Sequence, residues 1–287
     1  MPNSKMIRKP KMHRPPTTAG KSHSKMPEIY GEDCSLPIDN MHEEAKRILS
    51  AAEERGVRLR LLGGMAIRFR CKSALSDALT RKCADIDLVG HAKQSKQIRI
   101  LFTDLGYSPR KRFNAMHGGT RLVFNDLEHQ RRVDIFLDVF EMCHKFNFKD
   151  RLEMIPDTLP PADLLATKLQ VVQMTEREYK DIMCLLLDHT VGTTDEPGVI
   201  NGAYLAKLAS DDWGIYMTFK QTVQNLLGTL GLYGLSSDQQ HTVRDRAQQV
   251  LNMIEEAPKT MRWKMRARVG EKVTWYELPG PDKEIVN

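Results

Sequence analysis

Several things are scarce in this 287-residue chain, and each scarcity removes a class of answer. Cysteine is sparse and unpaired. Cys34, Cys71, Cys83, Cys143 and Cys184 are an odd, scattered set with no C-x-x-C spacing, which suits neither a disulfide framework nor a cysteine-ligated zinc. The nine histidines include no H-x-x-x-H pair. No uninterrupted apolar run approaches the ~18 residues of a membrane span, and the chain does not open on an apolar signal segment. The expectation is a cytoplasmic protein with no membrane partner. The chain also lacks the G-x-G-x-x-G of a dinucleotide site and the lysine-bearing loop of a P-loop enzyme.

Acid is missing at the beginning. Met1–Pro27 carries Lys5, Arg8, Lys9, Lys11, Arg14, Lys21 and Lys25 and no carboxylate. Removing those seven from the 43 basic side chains leaves 36 against 37 acids, so the formal charge of +6 belongs to this tail. Its composition cannot bury enough apolar surface to offset ordering entropy, and residues 1–36 read as a disordered basic tail. Such an arm can hold a phosphate backbone without reading sequence, or simply keep the protein in solution. Its prolines argue against the amphipathic helix of a transit peptide.

What remains is an ordinary globular mix, 41% hydrophobic and 28% charged. Helical spacing over Asn40–Arg55 ends at Gly56, and Val57–Leu62 alternates as a strand into Gly63-Gly64. Met65–Arg70 returns to helix, and a polar stretch, Lys72–Ala84, precedes a short strand, Asp85–Val89. Gln94–Leu105 reads as helix. Arg110–Met116 and Thr120–Phe124 read as strands about a His117-Gly118-Gly119 turn, and Arg131–Phe140 is the most regular strand in the chain. After Pro160-Pro161 the patterns turn helical, over Asp163–Met174, Glu176–Asp188, Asn201–Ala209, Trp213–Leu230 and Asp238–Glu256. Trp263–Val269 and Lys272–Glu277 alternate again and suggest a closing hairpin, with Arg262, Lys264, Arg266 and Arg268 on one basic face. The fold class expected is α+β: a mixed sheet with helices, then a helical domain over 159–257 and a C-terminal hairpin and tail over 258–287.

Three features could converge on chemistry. Gly63-Gly64 joins a strand to a helix, where bare backbone N–H groups and the helix N-terminus favour a phosphate. Asp85-Ile86-Asp87 puts two carboxylates on one strand face, a pair that repels unless a cation lies between. Magnesium suits it, taking carboxylates together with substrate phosphates. Asp134 interrupts the apolar Val133, Ile135 and Leu137 and is the third carboxylate that a two-metal site needs; Asp138, four residues on, is its decoy.

Glycine pair, D-x-D strand and later lone aspartate, in that order, resemble the nucleotidyltransferase superfold of DNA polymerase beta, poly(A) polymerase and CCA-adding enzymes. Leu159-Pro160-Pro161-Ala162-Asp163-Leu164-Leu165-Ala166-Thr167-Lys168-Leu169 and Tyr179-Lys180-Asp181-Ile182 resemble the helical motifs of AbiEii/AbiGii-type toxin nucleotidyltransferases. The resemblance spans Leu61 to Asp188. It implies a catalytic domain over 37–158, with Asp85, Asp87 and Asp134 as catalytic and metal carboxylates for two Mg2+ ions and Asp134 as the base. It also implies that Gly63, Gly64 and Lys168 bind the nucleotide, with Lys180 and Asp181 in support. Thr167 stands where that family usually has glutamate, and the twenty residues between Gly64 and Asp85 are more than the fold usually needs.

The implied function is magnesium-dependent transfer of a nucleoside monophosphate from a nucleoside triphosphate to a hydroxyl of an RNA end (tRNA-like), a protein or a small molecule. A cognate antitoxin is a candidate partner. The competing reading is a catalytically inactive relative, serving as a regulator or a nucleic-acid-binding module. Cys143-His144 as a thiol site, and the alternating basic residues near the end as an RNA contact, rank below both.

Overall fold

The computed structural model describes residues 36–279; the basic tail lies outside them. Helix α1 (Met41–Glu54) opens where the Asn40 side chain accepts from the His42 and Glu43 N–H groups, buries Ala45, Ile48 and Ala52, and stops before Gly56. Strand β1 (Leu59–Leu62) runs without a loop into α2 (Gly63–Arg70). A long connection leads to β2 (Asp85–Gly90), followed by α3 (Ser95–Asp104) and the two-residue strand β3 (Ser108–Pro109). Helix α4 (Lys111–His117) precedes β4 (Arg121–Asp126) and β5 (Arg131–Leu137).

These strands form one mixed sheet in the order β1-β2-β5-β4-β3. β2 and β5 are parallel at its centre, and the other pairs are antiparallel. Ile86, Leu88, Val133 and Ile135 leave one face of the central strands into the core, fully buried. The opposite face carries Asp85, Asp87, Arg132 and Asp134.

A small hairpin, β6 (Val139–Glu141) with β7 (Lys145–Asn147), leads away from the sheet. The chain then returns along β1, where Leu61 donates to the Asp157 carbonyl and Leu159 donates to that of Leu61. That places α5 (Pro161–Leu169), with Pro161 in its first turn, against α2. Helix α6 (Glu176–Asp188) follows behind a Thr175–Glu178 capping box. Two short parallel strands, β8 (Thr190–Gly192) and β9 (Val199–Asn201), precede α7 (Gly202–Asp211), α8 (Trp213–Thr229), α9 (Ser237–Glu256) and α10 (Met261–Val269).

The α+β class and the helical second half agree with expectation. Two elements end earlier than read, the helix over Asp163–Met174 at Leu169 and the strand over Arg131–Phe140 at Leu137, and two segments change type. Arg110–Met116 is α4 and not a strand: the Asn114 amide bonds both the N–H and the carbonyl of Val123, filling the strand's edge with a side chain. The closing hairpin is absent among the described residues, because Trp263–Val269 lies within α10, capped by Thr260, while Lys272–Glu277 pairs with no strand there. α10 buries none of its residues, so nothing rewarded a two-residue period over the helical preference of its Arg, Lys and Met. On a helix its basic residues divide into Arg262 with Arg266, lining a groove with Trp213 and Trp275, and Lys264 with Arg268 at a different angle.

Candidate active site

Parallel pairing of β2 with β5 sets Asp85 beside Arg132 and Asp87 beside Asp134, strands about 4.8 Å apart. Residues in register share a face, so three carboxylates and one arginine form a compact square. Asp87 is 4% exposed and Asp134 fully buried. Burial, then the charges of Asp85 and Asp134, raise the Asp87 carboxyl well above the usual range; Lys168 and Arg121 oppose this. Asp85 is pushed up by burial and then by Asp134, against Lys168, Arg132 and Arg81.

The glycine turn closes over this square. Gly63 has φ +66, a left-handed conformation, and a Cβ there would overlap Asp87 Oδ2 and lie 3.1 Å from its Cγ. A Cβ on Gly64 would overlap the Arg81 guanidinium, 3.0 Å from its Cζ. The twenty-residue gap thus has a purpose, because it lays Arg81 on the turn.

A cationic wall faces the acids. Arg81 donates from Nε and Nη2 to Asp181 at 2.8 and 2.7 Å, and Lys168 Nζ lies 2.8 Å from the same carboxylate. Burial favours protonation of Asp181, but Lys168 and Arg81 outweigh it and hold the carboxyl low. Burial likewise works against charge on Lys168, and Asp181 overcomes it. Thr167 turns its hydroxyl onto the Leu164 carbonyl at 2.7 Å, inside α5.

Between the walls is a cavity of about 690 Å³, lined by Gly64, Arg81, Asp85, Asp87 and Lys168 and also by apolar residues such as Val171 and Leu278. Its size suits a small-molecule ligand. Asp134 is not on its wall; both of its oxygens meet arginine. Arg121 donates from Nε to Oδ1 at 2.8 Å, Arg132 donates from Nη2 to Oδ1 at 3.0 Å, and Arg132 Nε lies 2.6 Å from Oδ2 in a charge contact too oblique for a hydrogen bond.

A magnesium ion fits part of this arrangement. Asp87 Oδ1 is buried without a hydrogen-bond partner, beside a second carboxylate that repels it, and a divalent cation would satisfy both. Among the described residues no group of three or more acids, histidines or cysteines is placed to hold a metal together.

Gly63, Gly64, Asp85, Asp87, Asp134, Lys168 and Asp181 are therefore gathered in one place. Lys180 is not: it pairs with Glu176 at 2.8 Å and lines a separate cavity with Tyr179 and Tyr233. Asp138 pairs with His91 at 3.2 Å. The Cys143 thiol is pushed up by burial, which disfavours the thiolate, and His144 bonds Thr218 at 2.8 Å instead of the cysteine.

No family model matches the sequence, and no curated protein is significantly similar to it. Two solved structures share part of its course. The lincosamide antibiotic adenylyltransferase LnuA, lincomycin-bound, is 17% identical over 50% of this chain and 94% of its own, with a TM-score of 0.37. The antibiotic-resistance factor ANT(2'')-Ia is 12% identical over 76% of this chain and 97% of its own, with a TM-score of 0.32. The AbiEii/AbiGii-type resemblance rests on the residues quoted from the sequence.

Three members of the site carry little or no mark in the sequence. Arg81 lies in a stretch that reads only as polar loop, with nothing to single it out. Arg121 reads as an ordinary strand residue. Arg132 has a usable signal, since a cation two residues before Asp134 on one strand shares its face.

Proposed function

We propose that this chain is a magnesium-dependent nucleotidyltransferase. The observation that carries the reading is the shared cavity, where an unpartnered buried carboxylate oxygen of Asp87, the glycine turn, Arg81 and Lys168 face one another. Magnesium, when bound, supplies positive charge between the Asp85–Asp87 pair and the triphosphate. The Gly63-Gly64 backbone and the N-terminus of α2 hold phosphate oxygens. Lys168 presents a point charge to the β and γ phosphates, and Arg81, whose Nε and Nη2 stay on Asp181, adds its positive charge to the same cavity wall. Asp181 keeps both cations charged and aimed.

The acceptor hydroxyl oxygen attacks the α-phosphorus in line. A new P–O bond forms as the bond to the bridging oxygen breaks, and pyrophosphate leaves with that electron pair. Asp85, the least buried of the three acids and on the cavity wall, is the carboxylate placed to take the hydroxyl proton. The acceptor is an RNA end, a protein side chain or a small hydroxylated molecule.

The test is incubation with each α-labelled nucleoside triphosphate, magnesium and total cell RNA, protein or small-molecule extract. Label should move to one acceptor class, and Asp87→Ala should abolish both transfer and magnesium-dependent triphosphate binding. Absence of triphosphate binding by the unaltered chain would refute the assignment and favour the inactive-relative reading.

A further inference from the structure

We propose that the site takes one divalent cation, at Asp85 and Asp87, and that Arg121 and Arg132 occupy the place of a second ion at Asp134. This rests on the nucleotidyl-transfer reading and narrows it.

Three observations carry it. First, neither Asp134 oxygen is free. Oδ1 accepts from Arg121 Nε at 2.8 Å and Arg132 Nη2 at 3.0 Å, Arg121 Nη2 is 2.7 Å from Oδ1, and Arg132 Nε is 2.6 Å from Oδ2. Second, Asp134 is fully buried and off the cavity wall, and its Oδ2, though without a hydrogen bond, lies 2.6 Å from Arg132 Nε, whereas Asp85 and Asp87 line the cavity and Asp87 Oδ1 is buried with no hydrogen-bond partner. Third, Arg121 is held independently of any ligand. Arg121 lies 4.9 Å over the Phe136 ring with its side chain 9% exposed, and Arg132 rises from the register position beside Asp85. An ion arriving at Asp134 would displace two guanidinium groups that have little water to retreat into.

Charge points the same way: around the ligand-free site four carboxylates, Asp85, Asp87, Asp134 and Asp181, are met by four cations, Arg81, Arg121, Arg132 and Lys168, and at Asp134 itself two guanidinium groups face one carboxylate, so no surplus negative charge is left there for an ion. Asp134 is then a positioning residue that fixes two guanidinium groups.

The experiment is a Mn2+ titration of the full chain, followed by electron paramagnetic resonance, with a saturating α,β-methylene nucleoside triphosphate. The expected count is one Mn2+ per chain. Asp87→Asn should abolish it, while Asp134→Asn should keep one ion at an affinity within twofold and still lower turnover. Two tight ions in the unaltered chain would overturn the proposal, and so would loss of the ion in a folded Asp134→Asn variant. The unaltered chain decides the matter even where that variant does not fold. A count of zero would instead refute the nucleotidyl-transfer reading itself, and this inference with it.

Discussion

Gly63→Ala tests the closest approach in the site, and Gly56→Ala is its built-in control. Both glycines are left-handed, at φ +66 and +64. An alanine in that region costs about 1–2 kcal/mol from the backbone alone. At Gly56 nothing lies within 4 Å of the added Cβ, so that cost stands by itself. At Gly63 the Cβ would overlap the Asp87 carboxylate, and Asp87, 4% exposed, has little room to move. Overpacking of this kind adds roughly 1–3 kcal/mol. Gly56→Ala should therefore lose about 1–2 kcal/mol, and Gly63→Ala about 2–5, at roughly 2–4 °C of Tm per kcal/mol for a body of this size. Urea melts of both variants measure the difference. Mn2+ binding should be unchanged in Gly56→Ala and at least ~10-fold weaker in Gly63→Ala, about 1.4 kcal/mol of lost coordination. Equal destabilisation of the two, with Mn2+ affinity intact in Gly63→Ala, would refute the claim that the glycine is there to admit the carboxylate.

Asp181→Asn should leave Lys168 and Arg81 with no opposing charge between them, lowering stability by about 3–5 kcal/mol in calorimetry. Arg81→Ala should weaken triphosphate binding about tenfold or more while Lys82→Ala, beside it in sequence, changes it less, as isothermal titration would show. Lys168→Ala should weaken the same binding, with Lys168→Arg restoring only part, because a fork does not replace a compact charge. Glu44 gives a pH signature: burial raises its carboxyl, but bonds from Arg47, Tyr107 and the Ile38 N–H outweigh this and hold it low. Its contribution is full above the ordinary glutamate value of about 4.3 and lost as pH falls through the lower folded value, so Glu44→Gln should flatten the acid side of the stability profile.

The carboxylates are legible in the sequence because their chemistry contradicts their surroundings. Asp134 sits between Val133 and Ile135 on a strand, and Asp85 and Asp87 flank Ile86, so the period of two is enough to assign each a face. Register is not legible. That Asp87 meets Asp134, and not Arg132 or Phe136, depends on how α3, β3, α4 and β4 are accommodated between β2 and β5. The misread segments lack a buried apolar face that the local pattern could report. In Arg110–Met116 only Phe113, Ala115 and Met116 are apolar, too few to fix a period, and in Trp263–Val269 a clear alternation is overridden because α10 buries none of its residues. Lys168 can be placed on a helix from Pro160-Pro161 onward, but its contact with Asp181 joins α5 to α6, a tertiary fact with no local trace.

The register between β2 and β5 also bears on how the protein acquires its shape. Aligning these central strands forces Asp87 against Asp134, with Asp85 close by, so the pairing that organises the sheet is electrostatically opposed at its middle. Arg132 travels with β5, and Arg121 arrives on β4 through antiparallel pairing. A chain that zips β4 to β5 first therefore presents Asp134 already neutralised, and β2 can then dock beside it at lower cost. The order of assembly that follows is hairpin before crossover, and conservative substitutions at Arg121 should slow refolding more than they hasten unfolding.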